Sequence, residues 1–258
     1  MSIQDVRAMQ THLNLPLHAG LRYGAANFLP KTENRVPAAC CRMAAWSLNE
    51  ELEPSLTITL HQNDLPDELD LGPVVAIDTE TMGLNPHRDR LCLVQLSSGD
   101  GTAHLVQIGK GQKKAPNLSR LLRARSVEKL FHFGRFDIAV LAHAFGALAQ
   151  PVYCTKIASK LVRTFTDRHG LRNLCNDLAG VDISKQQQSS DWGAEKLTDA
   201  QMEYAASDVL YLHRIREVLD ERLRREGRDK IAAECFRFLP HRAMLDLQGW
   251  PEEDIFAH

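Results

Sequence analysis

The sequence predicts a mixed α/β domain in which one sheet is flanked by helices. Three observations carry that expectation. Val74–Asp78 is a continuous apolar run closed by an acid, the pattern of a strand covered on both faces. Strand-like runs cluster in the first half of the chain, and helical periodicity dominates the second. No internal repeat or low-complexity segment breaks this order, so a single sheet with helices around it accounts for the pattern.

The first 42 residues stand apart. They carry five basic residues (Arg7, Arg22, Lys31, Arg35, Arg42) against two acids (Asp5, Glu33), and Pro16, Pro30 and Pro37 break any long helix. They lack the apolar stretch of a secretory signal. The expectation is an N-terminal extension over 1–42, flexible or lying upstream of the true start. A single domain over 43–258 then follows and ends in a helical tail. With no secretory signal, the cytoplasm is the expected location, and the acid-poor N-terminus leaves an organelle open.

Ser55–His61 alternates, with Leu56, Ile58 and Leu60 on one face, which predicts a strand. Val74–Asp78 is the central strand. Met82–Arg90 holds Gly83, Asn85 and Pro86 and reads as a loop. Leu91–Leu96 and His104–Ile108 are strands joined by the Ser98-Gly99-Asp100-Gly101 turn. Leu118–Arg125 is a short helix, Glu128–Phe133 a strand and Phe136–Phe145 a helix. Thr155–Thr164 and Leu171–Ala179 are helical. Ala200–Glu226 reads as one long helix, with Met202, Ala205, Val209, Leu212 and Ile215 near one face.

The bulk composition is that of a globular protein, at 44% hydrophobic and 25% charged. No apolar run is long enough for a membrane helix, so no membrane partner is expected. The net charge of −2 excludes a simple basic coat for nucleic acid, but not an enzyme whose carboxylates hold metal ions. The six cysteines include no C-x-x-C pair and match no zinc spacing, so they read as buried, reduced thiols.

Three places carry chemistry. In Asp78-Thr79-Glu80 the two acids sit at i and i+2 of a strand and project from one face. Paired like charges call for a cation, and carboxylate oxygens suit Mg²⁺ or Mn²⁺; a solvated strand end is the plain alternative. In His132-Phe133-Gly134-Arg135-Phe136-Asp137, a strand turns at Gly134 and Asp137 falls in a first helical turn, where an acid also serves the helix dipole. In Tyr204-Ala205-Ala206-Ser207-Asp208, the i, i+4 spacing places Tyr204 beside Asp208, or else simply displays an exposed Tyr on an acidic helix.

Together and in this order, these segments resemble the three motifs of the DEDD superfamily of 3′–5′ exonucleases, and within it the ribonuclease D family. Gly170-Leu171-Arg172-Asn173-Leu174, Asp191-Trp192 and the run Leu197–Asp208 are also similar to ribonuclease D. The resemblance spans about Leu52 to Arg225. Tyr204 four residues before Asp208, with Glu203 where another branch has His, points to the tyrosine (DEDDy) type. The 50 residues after Asp208 look too few for the helical domains that end longer relatives, which suggests a form with the catalytic domain alone. Phe133 departs from the Asn found at that position in many relatives, and this changes what that position offers a substrate.

The resemblance implies a ribonuclease H-like fold with a mixed sheet of five to six strands. It implies two divalent metal ions, Mg²⁺ or Mn²⁺, held by Asp78, Glu80, Asp137 and Asp208, with Tyr204 orienting the attacking water. Substrate contacts fall to Thr79, Met82, Gly83, Leu84, His132, Phe133 and Trp192. Leu84, His132 and Trp192 each have a packing role as the alternative. Lys185, Arg163, Arg168 and Arg172 are either phosphate contacts or ordinary surface charge. The implied activity is hydrolysis from a free 3′ end of single-stranded RNA to nucleoside 5′-monophosphates, as in the 3′ processing of tRNA or other RNA. DNA is the alternative substrate. A catalytically silent scaffold is the alternative of another class, although all four acids and Tyr204 are present. No obligate protein partner is expected.

Overall fold

In this computed structural model the chain is described over residues 56–258, so the expectations for 1–42 lie outside the described residues. The sheet has six strands: β1 (Thr57–Gln62), β2 (Val74–Thr81), β3 (Leu91–Ser97), β4 (Thr102–Gln107), β5 (Glu128–Phe131) and β6 (Val152–Cys154). Their spatial order is β1-β4-β3-β2-β5-β6. The β4-β3-β2 core is antiparallel. β1 joins it parallel to β4, and β5 and β6 run parallel to β2.

Among the described residues, seven helices surround the sheet: α1 (Pro116–Arg123), α2 (Arg135–Phe145), α3 (Thr155–Val162), α4 (Leu171–Leu174), α5 (Asp199–Leu210), α6 (Leu212–Arg225) and α7 (Asp229–Leu247). A wider π turn, Cys175–Ala179, continues α4. The main core gathers Val75, Ile77, Val94, Val106, Phe131, Ile138, Leu174 and Leu219, all fully buried or nearly so. A smaller cluster on the other face joins Leu93, Leu105, Trp192 and Ala205, and it seats α5 on β3 and β4.

The expected strands and helices are found with shifted ends, and three differences matter. The expected long helix breaks at Tyr211 into α5 and α6. No Gly or Pro marks that break; α5 follows the sheet while α6 lies against α3, and this packing divides them. The strand β6 has only three residues and no alternation to announce it. The strand expected to reach Phe133 ends at Phe131, because Phe133 adopts a left-handed φ of 65° that strand pairing forbids. Cys92, Cys154 and Cys175 are buried free thiols and Cys235 is half-buried, which agrees with the reading of reduced cysteines.

Candidate active site

β2 carries Asp78 and Glu80 toward α5, and the ladder slips by a β-bulge between Glu80 and Thr81. Pairing continues past the bulge in a shifted register, Thr81 opposite Leu91, before the chain turns into the Met82–Arg90 loop; bulges are common beside functional sites. On the other wall, α5 starts with a reciprocal cap. The Gln201 backbone N–H donates to Thr198 Oγ1 at 3.2 Å, and the Thr198 N–H donates to Gln201 Oε1 at 2.9 Å. That cap fixes the phase of the helix and so the face on which Tyr204 and Asp208 stand. Asp137 enters from the first turn of α2.

These elements close on a cleft of about 850 Å³. Asp78, Glu80 and Asp208 each place a carboxylate oxygen within 4.8 Å of the others. Asp137 stands just outside that trio. It is buried and accepts a hydrogen bond from Thr79 Oγ1 at 2.6 Å. Its charge still bears on the trio, because together with burial it raises the Asp78 and Glu80 carboxyls. Burial is the larger cause throughout. It pushes Glu80 up to about 9 and holds Asp78, Asp137 and Asp208 well above the usual carboxylate range. No Lys or Arg is ion-paired with any of the four among the described residues. Hard oxygen donors crowded without a counter-charge fit a divalent cation.

Tyr204 and Asp208 come together as the i, i+4 spacing predicts, close enough for the acid to bear on the phenol's titration. Burial and the neighbouring acids raise the phenol further above its ordinary value, so it is neutral at physiological pH. The Trp192 ring lies 6.0 Å from Tyr204 and is 97% enclosed (3% exposed) among Leu93, Leu105 and Ala205. Trp192 packs in this cluster and also borders the cleft. Its indole N–H is buried without a partner.

The remaining expected contacts line the same cleft. Leu84 is 86% exposed at its mouth and Met82 is also exposed, whereas the Thr79 hydroxyl is committed to Asp137. A Cβ at Gly83 would meet the Asp89 carboxylate, which would have to move aside. His132 Nδ1 pairs with Thr155 Oγ1 at 2.9 Å, and burial pushes its pKa down to about 3, so the ring is neutral. Phe133 is half exposed (50%), and its left-handed backbone turns the ring into the cleft mouth. A bulky residue in that region is strained, and such strain is typical of functional sites.

Of the four basic candidates, Arg163 is buried and committed to Asp177 and the Arg168 carbonyl. Arg172 makes a two-pronged pair with Asp182 at 2.8 and 2.9 Å. Arg168 stands by Asp177 at 4.0 Å, and Lys185 lines the cleft. Lys156 escaped the sequence reading. It also lines the cleft, with Nζ 4.0 Å above the Phe133 ring. The helix that carries it, α3, was expected, but which of its faces meets the cleft is set by tertiary packing.

Comparison with known proteins agrees with this geometry. Residues 58–224 match the family model described as 3′-5′ exonuclease. Ribonuclease D of Gluconacetobacter diazotrophicus is 37% identical over 173 residues, which cover 67% of this chain and 44% of the relative. The chain thus spans less than half the length of that curated relative. DNA polymerase I of Aquifex aeolicus is 34% identical over 157 residues, 59% of this chain and 25% of the relative. Among solved structures, Brucella melitensis NrnC bound to pGG superposes with a TM-score of 0.77 at 66% identity, over 79% of this chain and 100% of that one. Escherichia coli RNase D, described as an exoribonuclease involved in structured RNA processing, superposes with a TM-score of 0.59 at 28% identity, over 70% and 48%. The six-stranded mixed sheet is thus the ribonuclease H-like exonuclease fold, and among the described residues no helix is long and apolar enough to cross a membrane. A cation-ready acid cluster beside a neutral tyrosine, on this fold and within a family match of this length, places the chain in the 3′–5′ exonuclease family, with ribonuclease D among its relatives.

Proposed function

We propose that the chain hydrolyses the terminal phosphodiester of short RNA with a free 3′ end and releases nucleoside 5′-monophosphates. The observation that carries this reading is the Asp78, Glu80 and Asp208 cluster with Tyr204 against it. Asp78, Glu80, Asp137 and Asp208 would hold two divalent cations, Mg²⁺ or Mn²⁺. Such cations supply Lewis acidity to the phosphate and to the attacking water. The protein's own part is positioning. Tyr204, neutral and beside Asp208, orients the water by its hydroxyl and leaves proton removal to other groups. Leu84 and Met82 offer apolar surface against the terminal base, and Phe133 offers a ring for stacking. Lys156 and Lys185 place positive charge along the cleft for phosphate oxygens.

Short substrates are favoured because a structure 66% identical to this chain has been solved bound to pGG. Processing of longer RNA, tRNA 3′ ends included, draws its support from the ribonuclease D relatives. The match to a DNA polymerase keeps DNA as a second reading. The test is a time course on 5′-labelled pGG, a single-stranded RNA, a tRNA with a 3′ tail and a matched DNA, each with Mg²⁺, Mn²⁺ or EDTA, beside Asp78→Asn. The expected result is metal-dependent shortening from the 3′ end, fastest on the dinucleotide and absent from the variant. A folded protein that cleaves none of these overturns the reading, and faster cleavage of DNA replaces its substrate.

A further inference from the structure

Gln95 on β3 is fully buried, at 0% exposure, and neither its Nε2 nor its Oε1 has a hydrogen-bond partner. Among the described residues, Arg163, Trp192, His213 and Arg242 each leave one buried polar atom over, whereas Gln95 leaves its whole carboxamide. A buried amide without partners is costly and uncommon in folded proteins. Gln107 on the neighbouring strand shows the ordinary outcome. Its Nε2 donates to the Ala194 carbonyl at 2.9 Å, and its Oε1 accepts from Gln62 at 3.1 Å.

The ladder shows what Gln95 faces. It stands in register opposite Asp78 on one side and opposite Leu105 on the other. Residues directly opposite across antiparallel strands share a face, with Cβ atoms roughly 4.5–5.5 Å apart. Leu105, and Leu93 two residues before Gln95, pack with Ala205 of α5. Gln95 therefore lies beneath the helix that carries Tyr204 and Asp208, and its neighbours in register are apolar except for Asp78.

We propose that Gln95 is a positioning residue for Asp78. In this structure the amide stands opposite Asp78 without bonding it; with a cation bound, its carboxamide N–H turns to donate to the Asp78 carboxylate and holds it in the orientation that ligates. The inference rests on the reading of Asp78 as a metal ligand given above. A carboxylate used as a ligand keeps lone pairs to spare, and an outer partner that fixes them sharpens the site. Gln suits this task better than Arg or Lys, because it orients the carboxylate without cancelling the charge that attracts the cation.

The test titrates MgCl₂ into the wild-type protein, Gln95→Met and Asp78→Asn by calorimetry, with melting followed in EDTA. Met matches the length of Gln and lacks the amide. The expected Gln95→Met protein melts in EDTA at or above the wild-type temperature, since an unpartnered amide is gone. It binds Mg²⁺ about tenfold more weakly or worse, as loss of an outer-shell partner does. Its hydrolysis rate recovers as Mg²⁺ is raised, which a merely structural defect would not allow. A dissociation constant within twofold of wild type, or a rate that excess Mg²⁺ does not restore, overturns the assignment while leaving Asp78 a ligand. Mg²⁺ binding that survives Asp78→Asn unchanged overturns the site reading and this one with it. Should Gln95→Met not fold, the wild-type side-chain amide resonances decide. A shift of the Gln95 pair on adding Mg²⁺, larger than that of Gln107, supports the proposal, and no shift ends it.

Discussion

Asp78→Asn is expected to make the metal-free protein more stable while removing its response to metal. The carboxylate oxygens of Asp78, Glu80 and Asp208 lie within 4.8 Å of one another. At that separation, with an effective dielectric constant of about 20, each fully ionised pair costs about 3.5 kcal/mol. Burial already drives proton uptake, with Glu80 pushed up to about 9, so part of that repulsion is relieved before any substitution. A net gain of about 2 kcal/mol for the variant is a reasonable remainder. At roughly 2–4 °C per kcal/mol for a domain of this size, the melting temperature in EDTA rises by about 4–8 °C. Saturating the wild type with Mg²⁺ at about 100 times its dissociation constant adds about 2.7 kcal/mol, and the variant gains little. Differential scanning fluorimetry in EDTA and in graded MgCl₂ reads both effects, and the order of the two proteins reverses as metal is added. A variant that melts below wild type in EDTA, or that keeps the full Mg²⁺ shift, would refute the claim that uncompensated repulsion poises this cluster for a cation.

Three further outcomes are expected. Leu84→Ala, at a side chain almost wholly in solvent, leaves the melting temperature unchanged and raises KM for a short RNA by about tenfold, equal to about 1.4 kcal/mol of lost contact; an unchanged KM removes Leu84 from the substrate. Lys129→Met strands the carbonyls of Ala124, Val127 and Gln150, now 2.6, 2.8 and 2.6 Å from Nζ, and costs about 3 kcal/mol by urea unfolding; a loss under about 1 kcal/mol means those carbonyls find water instead. His132 stays neutral down to about pH 3 in the folded protein, whereas in the unfolded chain it takes a proton near 6.5. Protons therefore favour the unfolded chain as pH falls below 6.5. Between pH 7.5 and 5.5 the wild type loses about 1.4 kcal/mol more stability than His132→Gln, and parallel urea curves for the two would sink the assignment.

Much of the site was legible because its spacing is local. Asp78 and Glu80 share a face whatever the rest of the chain does, since strand geometry alternates, and Tyr204 and Asp208 share one because a helix repeats near four residues. Lys156 was not legible, since which face of α3 meets the cleft is set by tertiary packing rather than by any pattern of its own. Phe133 was legible as a departure from relatives, but its left-handed backbone was not, because a bulky residue carries no local preference for that region. Arg163 looked like a phosphate contact, yet it is spent on Asp177, a partner 14 residues away that only the π turn brings near.

By itself the sequence determined the strands that alternate, the helices with a steady apolar face, and the Asp78–Glu80 and Tyr204–Asp208 pairs, all of which follow from the geometry of one element. Only the tertiary structure decided what depends on two elements meeting. It broke the long helix at Tyr211 so that α5 could follow the sheet while α6 turned to α3. It drew Asp208 to within 4.8 Å of acids 128 and 130 residues earlier, and tied Asp137 to Thr79 across 58 residues. It also set Gln95 opposite Asp78, a register fixed by ladder hydrogen bonds and the bulge after Glu80 and therefore not carried by either strand alone.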